Sequence, residues 1–274
     1  MTLTVVSDDT PHPSNTKLRS DHGFSMLIRT DNEVILYDFG PRGVLIDNAK
    51  ELGVRLSGVT SAVLSHGHYD HAGDMAAFLK ENDIATVYHG RGAFFPRWSI
   101  AGGAPRDVGI PIIPTDNVVS RLAVVDVQTD RNEFIILPAA PGHAPKPAGN
   151  AKLLSGDEGA RLPDEFTDEL SLILRTAEGL VLLTGCAHRG ILNIVEQMKT
   201  YCPKCPILAV IGGFHLTDSE NEETLERIAN ELAARLPGTR IIAGHCTGPA
   251  AKQILAERLG TSFEKLHVGK ILTF

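Results

Sequence analysis

The stretch Ser65-His66-Gly67-His68-Tyr69-Asp70-His71 gathers three imidazoles and one carboxylate into seven residues. It follows the short apolar run 61–64 and precedes a helical pattern over 72–81, so it is placed on a strand-to-helix loop. Such a loop on a rigid scaffold presents side chains without burying its own backbone. Histidines at i and i+2 in an extended turn point the same way and chelate one ion, while Asp70 and His71 reach a second. Imidazole nitrogen and carboxylate oxygen suit zinc, and also iron or manganese, with an open coordination position for water. A histidine-rich surface loop is the plain alternative, and the density of donors after an apolar strand argues against it. Asp70 reads as both ligand and catalytic residue, orienting a nucleophile.

Working outward, β-rich runs at 3–6, 24–28 and 34–37 precede the motif, the last closing on the turn Asp38-Phe39-Gly40. A helical segment over 44–52 stops at Gly53, as a C-terminal glycine cap predicts. Beyond the motif, 90–116 turns to Gly, Pro and aromatics and reads as a long ordered loop. Strands are predicted at 122–127 and 133–137, then a second Pro/Gly-rich loop over 138–167. Strands at 170–175, 180–184, 207–211, 240–243 and 270–274 then alternate with helices over 190–199, 220–236 and 249–259. Two β-then-α halves predict two mixed sheets with helices outside, in one α/β (α+β) domain over 1–274. Loops of that length in a compact domain are uncommon unless they cover a site or are disordered.

With 274 residues, 43% of them hydrophobic, the chain can bury a large core. A formal charge of −7 argues against binding nucleic acid through a general positive field. The sequence has no apolar run near the roughly 18 residues of a membrane span, so the expectation is a cytoplasmic protein with no membrane partner. Four cysteines do not make a disulfide framework. Cys202-Pro203-Lys204-Cys205 is a lone CxxC, read as two inert thiols.

Further donors stand at the ends of later runs: Pro141-Gly142-His143, Thr184-Gly185-Cys186-Ala187-His188, Gly212-Gly213-Phe214-His215 and Ala243-Gly244-His245-Cys246. With Ser65 to His71 these resemble the ligand motifs of the metallo-β-lactamase superfamily, whose fold is a four-layer αββα sandwich. The resemblance implies His66, His68, Asp70, His71 and His245 as ligands. Cys186 stands where most members carry a bridging Asp; it reads as a thiolate ligand or as a small buried thiol. His143 reads as the further ligand or as a residue of an ordinary Pro-Gly turn, and His188 competes for its place. His215 reads as a catalytic or substrate-binding group.

One branch is resembled across nearly the whole chain, through His22-Gly23-Phe24-Ser25, Asp38-Phe39-Gly40, Asp168-Glu169-Leu170 and Gly244 to Gly248 besides the motifs above. It is typified by the synthase of the ribofuranosylaminobenzene phosphate precursor of methanopterin-type folates. Phe39, where Thr is usual, and the turn Pro141 to Pro145 depart from its pattern. The resemblance implies a dinuclear zinc hydrolase in which the ions lower the pKa of a shared water to about 7. The substrate is expected to be an ester, lactone or phosphoester, with His215 or His188 protonating the leaving group. A synthase or lyase, or an iron-containing redox protein, is the alternative. Phe95 and Trp98 with Arg91 and Arg97 are read as an aromatic, cationic wall for an anionic or ring-bearing small molecule, or equally as a hydrophobic plug beneath a loop.

Overall fold

The computed structural model describes residues 1–111, 116–217 and 220–274. The first sheet runs Ile271–Thr273, Thr2–Ser7, Ser25–Arg29, Val34–Tyr37, Ser61–Leu64, Thr86–Gly90, Leu122–Val125, its first three pairings antiparallel and its last three parallel. The second runs Phe263–Lys265, Arg240–Ala243, Ile207–Gly212, Leu180–Thr184, Ser171–Arg175, Phe134–Leu137, Thr129–Asp130, with three parallel pairings and then three antiparallel. The two halves therefore share a plan that no sequence repeat displays.

Side-chain alternation along each strand produces the layers. Leu3, Val5, Met26, Ile28, Ile35, Tyr37 and Val63 meet Phe134, Ile136, Leu172, Leu174, Val181 and Leu183 between the sheets. Their neighbours Leu27, Leu36, Ala62 and Leu64 face outward onto helices Leu45–Glu51 and Met75–Glu81. On the far side Ile135, Ile173, Leu182 and Val210 pack under Ile191–Tyr201, Glu222–Arg235 and Pro249–Leu259. The result is the expected αββα order. Helix Glu222–Arg235 shows why its segment folds as it does: Asn221 caps it through the Thr224 N–H, and Leu225, Ile228 and Leu232 form its buried stripe. Each such side chain contributes about 2 kcal/mol on leaving water.

Several expectations are corrected. The two segments read as loops pair with each other: Arg97–Ser99, Arg106–Asp107, Leu153–Ser155 and Leu162–Pro163 make a third, four-stranded sheet. Strands of two or three residues carry too little periodicity to be read. Residues 112–115 of the first segment lie outside the described residues. The helix expected over 72–81 divides into Tyr69–Ala72 and Met75–Glu81. Asp74, at the break, accepts the N–H groups of Gly43, Val44 and Leu45 and so ties the break to the N-terminus of helix Leu45–Glu51. Thr86–Gly90 and Phe263–Lys265 are strands the pattern did not announce. Cys202 and Cys205 are joined as a disulfide, in place of two free thiols.

Candidate metal centre

The donors converge because they stand just past the C-terminal ends of strands in both sheets. Ser61–Leu64 leads into His66, His68, Asp70 and His71; Leu180–Thr184 into Cys186 and His188; Ile207–Gly212 into His215; Arg240–Ala243 into His245. The backbone turns hard there. Asp38, Ala187, His215 and His245 all adopt left-handed φ, between 43° and 59°, a conformation costing non-glycine residues of order 1–3 kcal/mol each. Gly185 has no alternative, since a Cβ there would lie 2.1 Å from Ser65 Oγ.

His66, His68 and His188 form one buried group with ligand atoms within 4.8 Å of one another. Their outer nitrogens are tied back by neutral partners: His66 Nδ1 lies 2.9 Å from Ser65 Oγ, and His188 Nδ1 lies 2.9 Å from Asn150 Oδ1. Asn150 also donates to the His188 carbonyl, and Phe166 stacks on the His188 ring at 3.9 Å. His68 Nε2 and His188 Nε2 are buried without a hydrogen-bond partner. Burial lowers all three imidazoles, His68 to about 3, so they are uncharged at neutral pH.

Asp70, His71 and His245 form the second group. Here the outer nitrogens meet carboxylates: His71 Nδ1 lies 2.7 Å from Asp38 Oδ2 and His245 Nδ1 2.7 Å from Asp9 Oδ1. Asp38 is fully buried and also accepts the Ser65 N–H and hydroxyl. A carboxylate at Nδ1 favours the tautomer whose Nε2 can bind an ion. Those Nε2 atoms stand 3.1 Å apart, with Cys186 Sγ 3.1 Å from His71 and Asp70 Oδ2 3.3 Å from His245. Cys186 also belongs to a group with His66 and His71, and so stands between the two triads. Two ring nitrogens at that distance need a shared proton or a cation between them. Together with the orphaned nitrogens of the first group, the donor set fits metal ions.

A cleft of about 170 Å³ opens over these groups, with His68, Asp70, Cys186, His188, His215 and Cys246 on its floor. His143 does not reach it. Its side chain is exposed and its N–H donates to Asn193 Oδ1, because the Pro141 to Pro145 turn is anchored on helix Ile191–Tyr201, away from the strand ends. The expected cationic wall is also absent from the cleft. Arg91 is paired with Asp126 at the surface, Phe95 is 64% exposed, and Arg97 is buried between Asp164 and Asp168. Trp98 points the other way, donating to the Gly156 carbonyl beneath Arg161.

Sequence reasoning missed Asp8, Asp9, Asp38, Asn150 and Cys246 as parts of the site, and His22, whose Nε2 lies 3.4 Å from Asp70. Asp8, Asp9 and Asn150 gave no local signal, while His22, Asp38 and Cys246 lie in segments that carry the family resemblance but point to no role by themselves. Glu169 was also overlooked: it accepts the N–H groups of His188 and Arg189, and burial pushes it up to about 8.

With this geometry established, comparison with known proteins is informative. The metallo-beta-lactamase superfamily profile matches residues 18–245. The chain is 28% identical, over 95% of its length and 92% of the relative's, to 7,8-dihydropterin-6-methyl-4-(beta-D-ribofuranosyl)-aminobenzene-5'-phosphate synthase of Methanocaldococcus jannaschii. It is 31% identical, over 98% of its length and 99% of the relative's, to an uncharacterised protein of the same organism. Its structure resembles Tm1679, described as a metal-dependent hydrolase of the beta-lactamase superfamily, with TM-score 0.83 and 28% identity over 100% of this chain and 99% of that one. No helix among the described residues is long and apolar enough to cross a membrane. Profile, αββα layers and donor-bearing strand ends agree: the chain belongs to the metallo-beta-lactamase superfamily.

Proposed function

We propose that the protein is a two-metal, zinc-dependent hydrolase of a small ester, lactone or phosphoester. The observation that carries this reading is the pair of adjoining buried triads whose outer nitrogens are tied back and which open to one cleft through His68 and His188 and through Asp70. His66, His68 and His188 would hold one ion and Asp70, His71 and His245 the other, with the Cys186 thiolate between them. This mixture of imidazole, carboxylate and thiolate suits zinc. Bound there, the ions supply Lewis acidity and a water that is nucleophilic near neutral pH.

The remaining work falls to the chain. Asn150, Ser65, Asp38 and Asp9 hold the rings in register, a role whose loss elsewhere weakens metal binding and activity. Asp70, open to the cleft beside His22, orients the nucleophile. His215 also lines the cleft, and its buried Nδ1 has no partner. Its role in this reading is to give a proton to the leaving group.

A synthase acting on a phosphorylated substrate is the second reading, favoured by the similarity to the M. jannaschii enzyme over nearly the full chain. The test is metal analysis followed by turnover on a lactone, a phosphodiester and a phosphomonoester, before and after chelation. Two zincs per chain and hydrolysis that returns only with metal are expected. Full turnover of the stripped protein overturns the reading, and two zincs without hydrolysis favour the synthase.

A further inference from the structure

The wall of the cleft opposite the metal donors comes from the third sheet, and its register determines what it presents. Leu153 pairs with Ser99, and Ser99 with Arg106, so the three residues form one row across three strands. Directly opposed residues of antiparallel strands share a face. This row faces the cleft, whereas the next row, Leu154, Trp98 and Asp107, faces away. The Ser99 hydroxyl oxygen accepts the Ala101 N–H, which leaves its proton to donate. Arg106 has no carboxylate partner among the described residues, and its guanidinium stands 5.6 Å over the ring of Tyr69, between His68 and Asp70 in the metal motif.

The row is held against that motif. Arg97 projects from the same strand and the same face as Ser99 and is clamped at 2.8 Å to Asp164 and 2.7 Å to Asp168. Asp168 in turn accepts the Gly67 N–H at 2.8 Å, and Tyr69 N–H donates to the Val108 carbonyl. A buried guanidinium shared by two carboxylates thus welds the small sheet to the loop carrying His66 and His68.

We infer that the row Leu153, Ser99 and Arg106 is a substrate-selecting subsite that receives an oxyanion group at Arg106 and Ser99 and an apolar body over Leu153. The inference rests on the cleft being the active site and adds the class of molecule that enters it: a small organic phosphate or carboxylate. At about 170 Å³ the cleft is smaller than the roughly 300–1,000 Å³ typical of drug-sized ligands, so the molecule is small.

Calorimetric titration of the metal-loaded protein with phenylphosphonate, benzoate and neutral benzyl alcohol tests it, repeated on metal-stripped protein. Arg106→Ala is expected to weaken binding of the preferred anion about tenfold to a hundredfold in both forms, as loss of a charge-assisted contact does, and to leave benzyl alcohol unaffected. Arg106→Lys restores part of the affinity, and Leu153→Ala weakens all three ligands. The better-bound anion distinguishes a phosphoryl from a carboxylate head. Anion binding of parent strength in Arg106→Ala, or no binding of either anion by the parent, overturns the inference. Anion binding through Arg106 by a protein that takes up no metal counts against the metallohydrolase reading alone. Two bound zincs with anion binding independent of Arg106 count against the subsite alone.

Discussion

The two triads share one cleft but differ in what stands behind them. His66, His68 and His188 are neutral rings backed by a hydroxyl and an amide. Asp70, His71 and His245 include one carboxylate and lean on two more, Asp38 and Asp9. A carboxylate behind an imidazole raises its basicity and fixes its tautomer more strongly than an amide does. The second triad should therefore hold its ion more tightly and suffer more when its backing is removed. Its cost is the burial of Asp38, which the Ser65 donors and a bound cation offset, whereas Asp9 keeps a side chain 31% exposed.

The largest effect is expected from deleting two donors of the first triad. His66→Ala with His68→Ala should remove about one of the two bound ions and reduce turnover by about a thousandfold or more, as expected when the ions supply several kcal/mol of transition-state stabilisation. Elemental analysis alongside kinetics checks this, and full zinc content in the double variant would break the proposed division of ligands. Next comes the backing itself. Asp38→Asn should weaken zinc binding by about ten- to a hundredfold, and Asn150→Ala by less. Competition titration with a chromophoric chelator reads both, and the opposite ranking would remove the asymmetry between the triads.

A smaller effect distinguishes the frame of the first triad. Burial raises Glu169 from the ordinary 4.5 to about 8, so the folded chain keeps a proton there that the unfolded chain loses. Its contribution is complete below pH 4.5 and fades as pH rises through 8. The thermal midpoint of the metal-stripped parent should fall across that window relative to Glu169→Gln, by several degrees. Parallel curves would refute a protonated Glu169. The smallest effect is expected at His143→Ala, where metal content and turnover should change less than about twofold, as at a surface residue free of such contacts. A large loss there would restore His143 to the first triad in place of His188.

The cluster from Ser65 to His71 was legible because its donors are neighbours in the chain, held on a loop whose flanking strand and helix follow from local apolar pattern. Cys186, His188, His215 and His245 could be nominated because each closes an apolar strand. His143 could be nominated on the same kind of local evidence. Only strand pairing separates them: Leu180–Thr184 is a central strand of its sheet, so His188 is delivered to the cluster, while the Pro141 to Pro145 turn is held by Asn193 on an outer helix. The cationic wall was misplaced for a related reason. Arg97 and Arg106 look alike in sequence, and which of them meets the cleft depends on the register of strands only two or three residues long.

The sequence by itself determined the metal motif, the αββα class and the strand ends that carry donors, since each follows from periodicity or from residues close together in the chain. The tertiary structure alone decided which histidine completes the first triad, which carboxylates stand behind the second, and which arginine faces the cleft. Those choices depend on contacts between segments tens to hundreds of residues apart, as with Asp9 and His245, separated by 236 positions. No local pattern encodes such a pairing; it exists only once both sheets have formed and their strand ends lie side by side.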